Sequence, residues 1–113
     1  MRDAVLLYIT TGTHDEAVRI ARILVEERLA ASANISDRVR SIYRWAGKVQ
    51  DAAESVLILK TAAARVPAVT ARVKQLHSYE CPCILAFAVN GGSADYLDWI
   101  AAETAPEQEG PMR

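Results

Sequence analysis

The chain has 113 residues, 51% of them hydrophobic, with 13 basic and 14 acidic side chains. That length fits one domain with one core, and the composition excludes a disordered chain. The near-zero net charge gives no reason to expect nucleic-acid binding, and no run is long enough for an export signal or a membrane span. The two cysteines, Cys81 and Cys83, stand one residue apart, where a mutual disulfide would be strained and would close almost no loop. The expectation is a reduced, cytoplasmic protein with no membrane and no nucleic-acid partner.

Ala4 to Thr10 is nearly all apolar and reads as a central strand, ended by Gly12. Thr13 and Glu16 have capping-box spacing, and Ala17, Ile20, Ala21 and Leu24 follow at helical period. This predicts a helix from His14 to about Ala31. Ala33 to Val49 reads as extended, with a bend or bulge at Ser36-Asp37-Arg38. Gln50-Asp51-Ala52-Ala53 is the predicted hairpin turn. Ser55 to Thr61 is a second apolar, central strand. Val66, Val69, Val73 and Leu76 predict a helix over Arg65 to His77, with Pro67 in its first turn.

Pro82 to Val89 is a fourth strand, stopped by Asn90-Gly91-Gly92. Ser93 caps a last helix from Ala94 to about Ala102. Residues 105–113, with two prolines and a glycine, read as a mobile tail beyond a single domain of residues 1–104. The order βαββαβ plus a C-terminal helix is the ferredoxin-like, split-βαβ pattern of the α+β class. That pattern places strands 1 and 3 in the middle of the sheet, and these are the two most uniformly apolar strands.

Two segments concentrate the polar-aromatic chemistry. In the run Ser41 to Lys48, Tyr43 and Trp45 read either as a stacking platform for a ligand or as interface anchors, a role in which Trp and Tyr are enriched. In the run His77 to Cys83, an imidazole, a phenol, a carboxylate and two thiols crowd together. His77, Cys81 and Cys83 are candidate ligands for copper or zinc. The competing reading makes the cysteines small core residues and His77 a helix C-terminal cap. Lys60, at the end of a central strand, is a candidate for charge at a binding site. Thr10 to Thr13 lacks the pattern of a phosphate loop. No nucleophile with a neighbouring base is visible, which argues against an enzyme.

Taken together, Leu29-Ala30-Ala31, Asn34-Ile35, Ser41-Ile42-Tyr43-Arg44-Trp45 with Gly47-Lys48, Lys60-Thr61, His77 with Tyr79-Glu80 and Pro82, and Tyr96-Leu97 with Trp99-Ile100 resemble the CutA family of divalent-cation tolerance proteins. The resemblance runs from about Val5 to Ile100. It implies a ferredoxin-like subunit in a homotrimer similar to the PII signalling proteins, with the long second strand pairing with a neighbour. It also implies a non-enzymatic binding or sensing role linked to copper tolerance, with a structural adaptor or a metal buffer as alternatives. The cleft between subunits would use Tyr43, Trp45, Lys60, His77, Tyr79 and Glu80. No cofactor is obligatory; copper or another divalent metal is the candidate ligand. This chain departs from the family pattern at Ser32, where many members carry Cys, at Ile9, where some carry Cys, at Leu76, where some carry a second His, and at Cys83, where Glu is usual.

Overall fold

A computed structural model describes residues 3–106. In chain order the elements are β1 (Ala4–Thr11), α1 (His14–Glu26), β2 (Ser32–Trp45), β3 (Lys48–Ala62), α2 (Val66–Leu76), β4 (Ile84–Ala88) and α3 (Ala94–Glu103), with one turn of 3-10 helix at Ala63–Arg65 before α2. The strands form one antiparallel sheet in the order β2-β3-β1-β4. The two apolar strands, β1 and β3, are the central ones, as their composition predicts. Most of the segment read as a tail, residues 107–113, lies outside the described residues.

Side chains alternate across β1 and β3, and one set builds the core. Leu7, Ile9, Leu57 and Leu59 meet Ile20 and Leu24 of α1 and Val69 and Val73 of α2, all without solvent exposure. Each such side chain contributes roughly 1.5–3 kcal/mol by leaving water. The other set includes Leu6 and Tyr8 on β1 and Lys60 on β3. At one end α3 packs there, with Ile100 against Ala4 and Ala31. The β4 side stays open, and Leu85 and Phe87 are each 54% exposed.

Helix α1 starts as its sequence dictates: the Glu16 N–H donates to the Thr13 hydroxyl oxygen at 3.1 Å. It ends five residues earlier than predicted. Arg28 takes a left-handed conformation at φ 63°. Its N–H donates to the Val25 carbonyl at 3.0 Å, and the Leu29 N–H donates to that of Leu24 at 2.9 Å. These two bonds are a Schellman stop, formed here without the glycine that usually announces one. The Arg28 guanidinium donates to the carbonyl of Ala102 at 2.9 Å, so a long-range contact with the end of α3 holds the stop.

The hairpin turn also differs from its prediction. It lies at Ala46-Gly47, and Gln50 to Ala53 continue as strand, with Tyr43 opposite Gln50 and Ser41 opposite Ala52. Ala46 and Gly47 both have positive φ, 53° and 77°, the backbone of a type I′ two-residue turn. Alanine is costly in that conformation, by about 1–2 kcal/mol. Ala46→Asn is therefore expected to stabilise the chain by about 0.5–1 kcal/mol, read as a higher denaturation midpoint. No gain, or a loss, would show that the turn is held open by something other than local preference.

Below the turn, the pairing of β2 with β3 shifts between Ser36 and Val39. This is a bulge at the predicted bend, with Arg38 at φ 61°. Beyond it β3 has only β2 for a partner, because the β1–β3 ladder ends at Thr11 and Ser55. The outer hairpin is thus a two-stranded ribbon, clasped by Arg40, whose guanidinium donates to both Asp51 carboxylate oxygens at 2.9 and 2.7 Å. Ile42, Tyr43, Trp45 and Val49 on this ribbon are exposed. Among the described residues both edges of this ribbon are unpaired, and free edges with exposed apolar side chains favour pairing with another chain.

At the base of the ribbon, His14 Nδ1 lies 2.9 Å from Asp37 Oδ1, and the Ser55 hydroxyl donates to the same oxygen at 2.9 Å. The hydrogen bond from its ring N–H to the Asp37 carboxylate raises the pKa of His14 above its ordinary 6.5. The same bond, with that of Ser55, lowers Asp37 below its ordinary 3.8. The His14 contribution to stability is complete below pH 6.5 and is lost as pH rises through its raised folded value. The Asp37 contribution is present above pH 3.8 and is lost as pH falls through its lowered one. Wild type and His14→Gln are expected to differ most in denaturation midpoint between those two pH values, and to converge in alkali. A constant difference across that range would count against the bridge.

Candidate functional site

The segment from His77 to Cys83 is positioned by a buried polar network. The His77 N–H donates to the Val73 carbonyl at 2.8 Å and closes α2. The imidazole, only 8% exposed, then turns under β1. Its Nε2–H donates to the Thr10 carbonyl at 2.7 Å, and Nδ1 accepts from the Tyr79 N–H at 3.0 Å. A carbonyl can only accept and an amide N–H can only donate, so these partners fix the tautomer with its proton on Nε2. The Ser78 N–H and hydroxyl donate to the Glu16 carboxylate at 2.7 and 3.1 Å. Burial opposes ionisation of Glu16, but the Ser78 bonds outweigh it and hold its pKa below the ordinary value.

With its backbone so held, Tyr79 lies against His77, ring centroids 4.7 Å apart. Its hydroxyl donates to Glu54 Oε2 at 2.7 Å. Burial, and then the Glu54 carboxylate, push the phenol pKa strongly up. A side chain at Gly12 would bring its Cβ within 3.2 Å of the Tyr79 hydroxyl, so glycine there lets the ring reach Glu54.

Above this network opens a cleft of about 640 Å³. Tyr8 and Thr10 of β1 line it, with Ser41, Tyr43 and Trp45 of β2 and Glu54 of β3. Glu80, Cys81 and Cys83 of the loop before β4 complete it. Glu54 is 8% exposed, a carboxylate buried in the cleft wall. Among the described residues no Lys or Arg lines the cleft.

Of the residues singled out in the sequence, Tyr43, Trp45, Tyr79, Glu80, Cys81 and Cys83 therefore meet at one cleft. Lys60 does not. It is four residues from Val56, at the α3 end of β3, with its ammonium 5.6 Å from the centre of the Tyr96 ring. His77 sits beneath the cleft and does not line it. Both its nitrogens are engaged, which leaves none for a metal. Cys83 is a poor thiolate, because burial and the Glu54 charge raise its pKa. Among the described residues no three His, Cys, Asp or Glu side chains are grouped to hold a metal ion. The donor set does not fit a metal centre. The sequence reading missed Tyr8 and Glu54. Tyr8 is the one aromatic in the apolar β1 run, and Glu54 is an acid at the threshold of a buried strand; only the pairing of β1 with β3 brings the two to one cleft.

A helix-backed antiparallel sheet with the crossed order β2-β3-β1-β4, a long projecting hairpin and an aromatic-acidic cleft at its root define a ferredoxin-like domain. Residues 5–103 match the model of the CutA1 divalent ion tolerance protein family. The divalent-cation tolerance protein CutA of Thermus thermophilus is 43% identical over 104 residues, covering 92% of this chain and 99% of the relative. Its solved structure superposes with a TM-score of 0.88 over 90% of this chain and 99% of that one. The structure of CutA1 from Oryza sativa, 35% identical, gives 0.89 over 93% and 96%. The chain belongs to the CutA1 divalent ion tolerance family.

The chain spans only 57% and 56% of the rice and Arabidopsis thaliana relatives. Both are named chloroplastic, and the Archaeoglobus fulgidus structure, 39% identical with a TM-score of 0.87, is described as periplasmic. The cytoplasmic expectation is corrected accordingly: one fold serves several compartments, so the folded domain does not report its address. Among the described residues no helix is long and apolar enough to cross a membrane.

Proposed function

We propose that the chain acts in divalent-cation tolerance, including that of copper, as a non-enzymatic homotrimer that binds a small ligand at its cleft, where subunits meet. The carrying observation is that aromatic anchors and polar groups converge at the root of a ribbon with free strand edges. Tyr43 and Trp45 on β2 face the loop residues Tyr79 and Glu80 across one concavity. The same ribbon and the open face at Leu85 and Phe87 offer large apolar surfaces to a partner. A second copy, pairing along the ribbon edge, covers both. Sedimentation velocity at micromolar concentration tests the assembly, and native mass spectrometry tests retention of a ligand. A stable monomer would sink the trimer, and an intact but empty trimer would favour an adaptor role.

Cys81 and Cys83 both line the cleft, which keeps the metal-buffer alternative open to a direct test. The raised Cys83 pKa speaks against it, since the thiolate is the metal ligand. The double variant Cys81→Ser, Cys83→Ser is expected to take up Cu(I) as wild type does in competition with a chromogenic chelator. Loss of tight uptake in the double variant would instead establish the thiols as ligands.

A further inference from the structure

We infer that the cleft selects a compact organic cation, an ammonium group with an apolar coat, in preference to an anion or a neutral molecule. This rests on the reading of the cleft as a ligand site and names its ligand class. Four aromatic rings, from Tyr8, Tyr43, Trp45 and Tyr79, line a cleft whose charged side chains are Glu54 and Glu80. Rings present a negative face, and a cation set against several of them is attracted without hydrogen bonds. Glu54 supplies the full charge from the wall, 92% of its surface already withdrawn from water by the fold itself.

The Tyr79 hydroxyl donates to one Glu54 oxygen at 2.7 Å, and a cation entering the cleft meets the Glu54 charge at a wall where water screens it little. The neighbouring groups register the same field: the Tyr79 phenol and the Cys83 thiol are both shifted upward, first by burial and then by Glu54. Lys60, which would have made this an anion site, is held by the Tyr96 ring instead.

An inorganic divalent ion needs several oxygen or nitrogen ligands in a shell, and among the described residues no such group exists. An aromatic wall suits a cation whose charge is spread over methyl or methylene groups. The cleft volume of about 640 Å³ is ample for one.

The test is isothermal titration of the full chain with tetramethylammonium chloride, with tert-butanol as a neutral probe of similar shape, and with magnesium chloride. Sodium chloride matches the ionic strength. Saturable binding of tetramethylammonium, about tenfold or more tighter than tert-butanol, is the expected result. Glu54→Gln, which retains an acceptor for Tyr79, and Tyr8→Leu should each weaken it about tenfold. Far-ultraviolet circular dichroism and sedimentation velocity check that each variant is folded and assembled as wild type, and an unfolded Glu54 variant leaves the Tyr8 variant and the probe comparison to decide. Equal binding of the two organic probes, or binding of magnesium alone, overturns the cation-class inference while leaving a ligand cleft in place. A trimer that binds none of the three overturns it as well. The oligomeric state, measured on the same sample, reports separately on the assembly reading.

Discussion

Trp45→Ala is expected to weaken subunit assembly by about 2–4 kcal/mol, the range of an interface hot spot. The indole is half exposed in the single chain, at 51%, and it precedes the turn at the tip of a ribbon with no third strand. Burying it against a second copy removes a large apolar surface from water. The variant should therefore dissociate at a concentration where wild type stays assembled, seen by sedimentation velocity. Its far-ultraviolet circular dichroism should not change, because Trp45 lies outside the buried core. Unchanged assembly would return Trp45 to a role in the cleft alone.

His77→Ala is expected to cost about 2–4 kcal/mol of folding stability, the sum of lost hydrogen bonds and a void. The imidazole occupies a place that no strand fills. β4 pairs with β1 only as far as Ile9 and Ile84, so the Thr10 carbonyl lies past the end of that ladder and takes its bond from Nε2 instead. Removing the ring strands that carbonyl and the Tyr79 N–H together and withdraws the surface on which Tyr79 rests. Urea denaturation should show a lower midpoint, while copper uptake stays at the wild-type level. A stable variant with impaired copper uptake would contradict the network described here and restore His77 as a ligand.

Both expectations concern residues conspicuous in the sequence, yet their roles were legible to different degrees. Trp45 and Tyr43 stand in an alternating run, and alternation alone puts them on one side of a strand. His77 in sequence is an imidazole beside a phenol and two thiols, and composition there suggests a metal. What decides against it is a backbone carbonyl 67 positions away. Lys60 could not be placed from sequence for a related reason: a lysine at a strand end reads as free charge until the helix that meets it is known. The two misplaced boundaries have separate origins. The stop of α1 at Arg28 depends on the end of α3, and the Ala46-Gly47 turn carries neither Asn nor Asp to mark it.

The sequence by itself determined the helical and strand periods, the two central strands, the caps at Thr13 and Ser93 and the family. These are set by local preference and by which residues must leave water, and both are written in consecutive residues. Only the tertiary structure decided where the hairpin turns, which nitrogens of His77 are engaged, and that the cleft is acidic through Glu54 and not basic through Lys60. The last two depend on groups distant in the chain meeting at hydrogen-bond range, where burial magnifies a single charge or an unpaired carbonyl; the turn depends on the register of the two strands it joins. Spacing along the chain carries no record of such meetings.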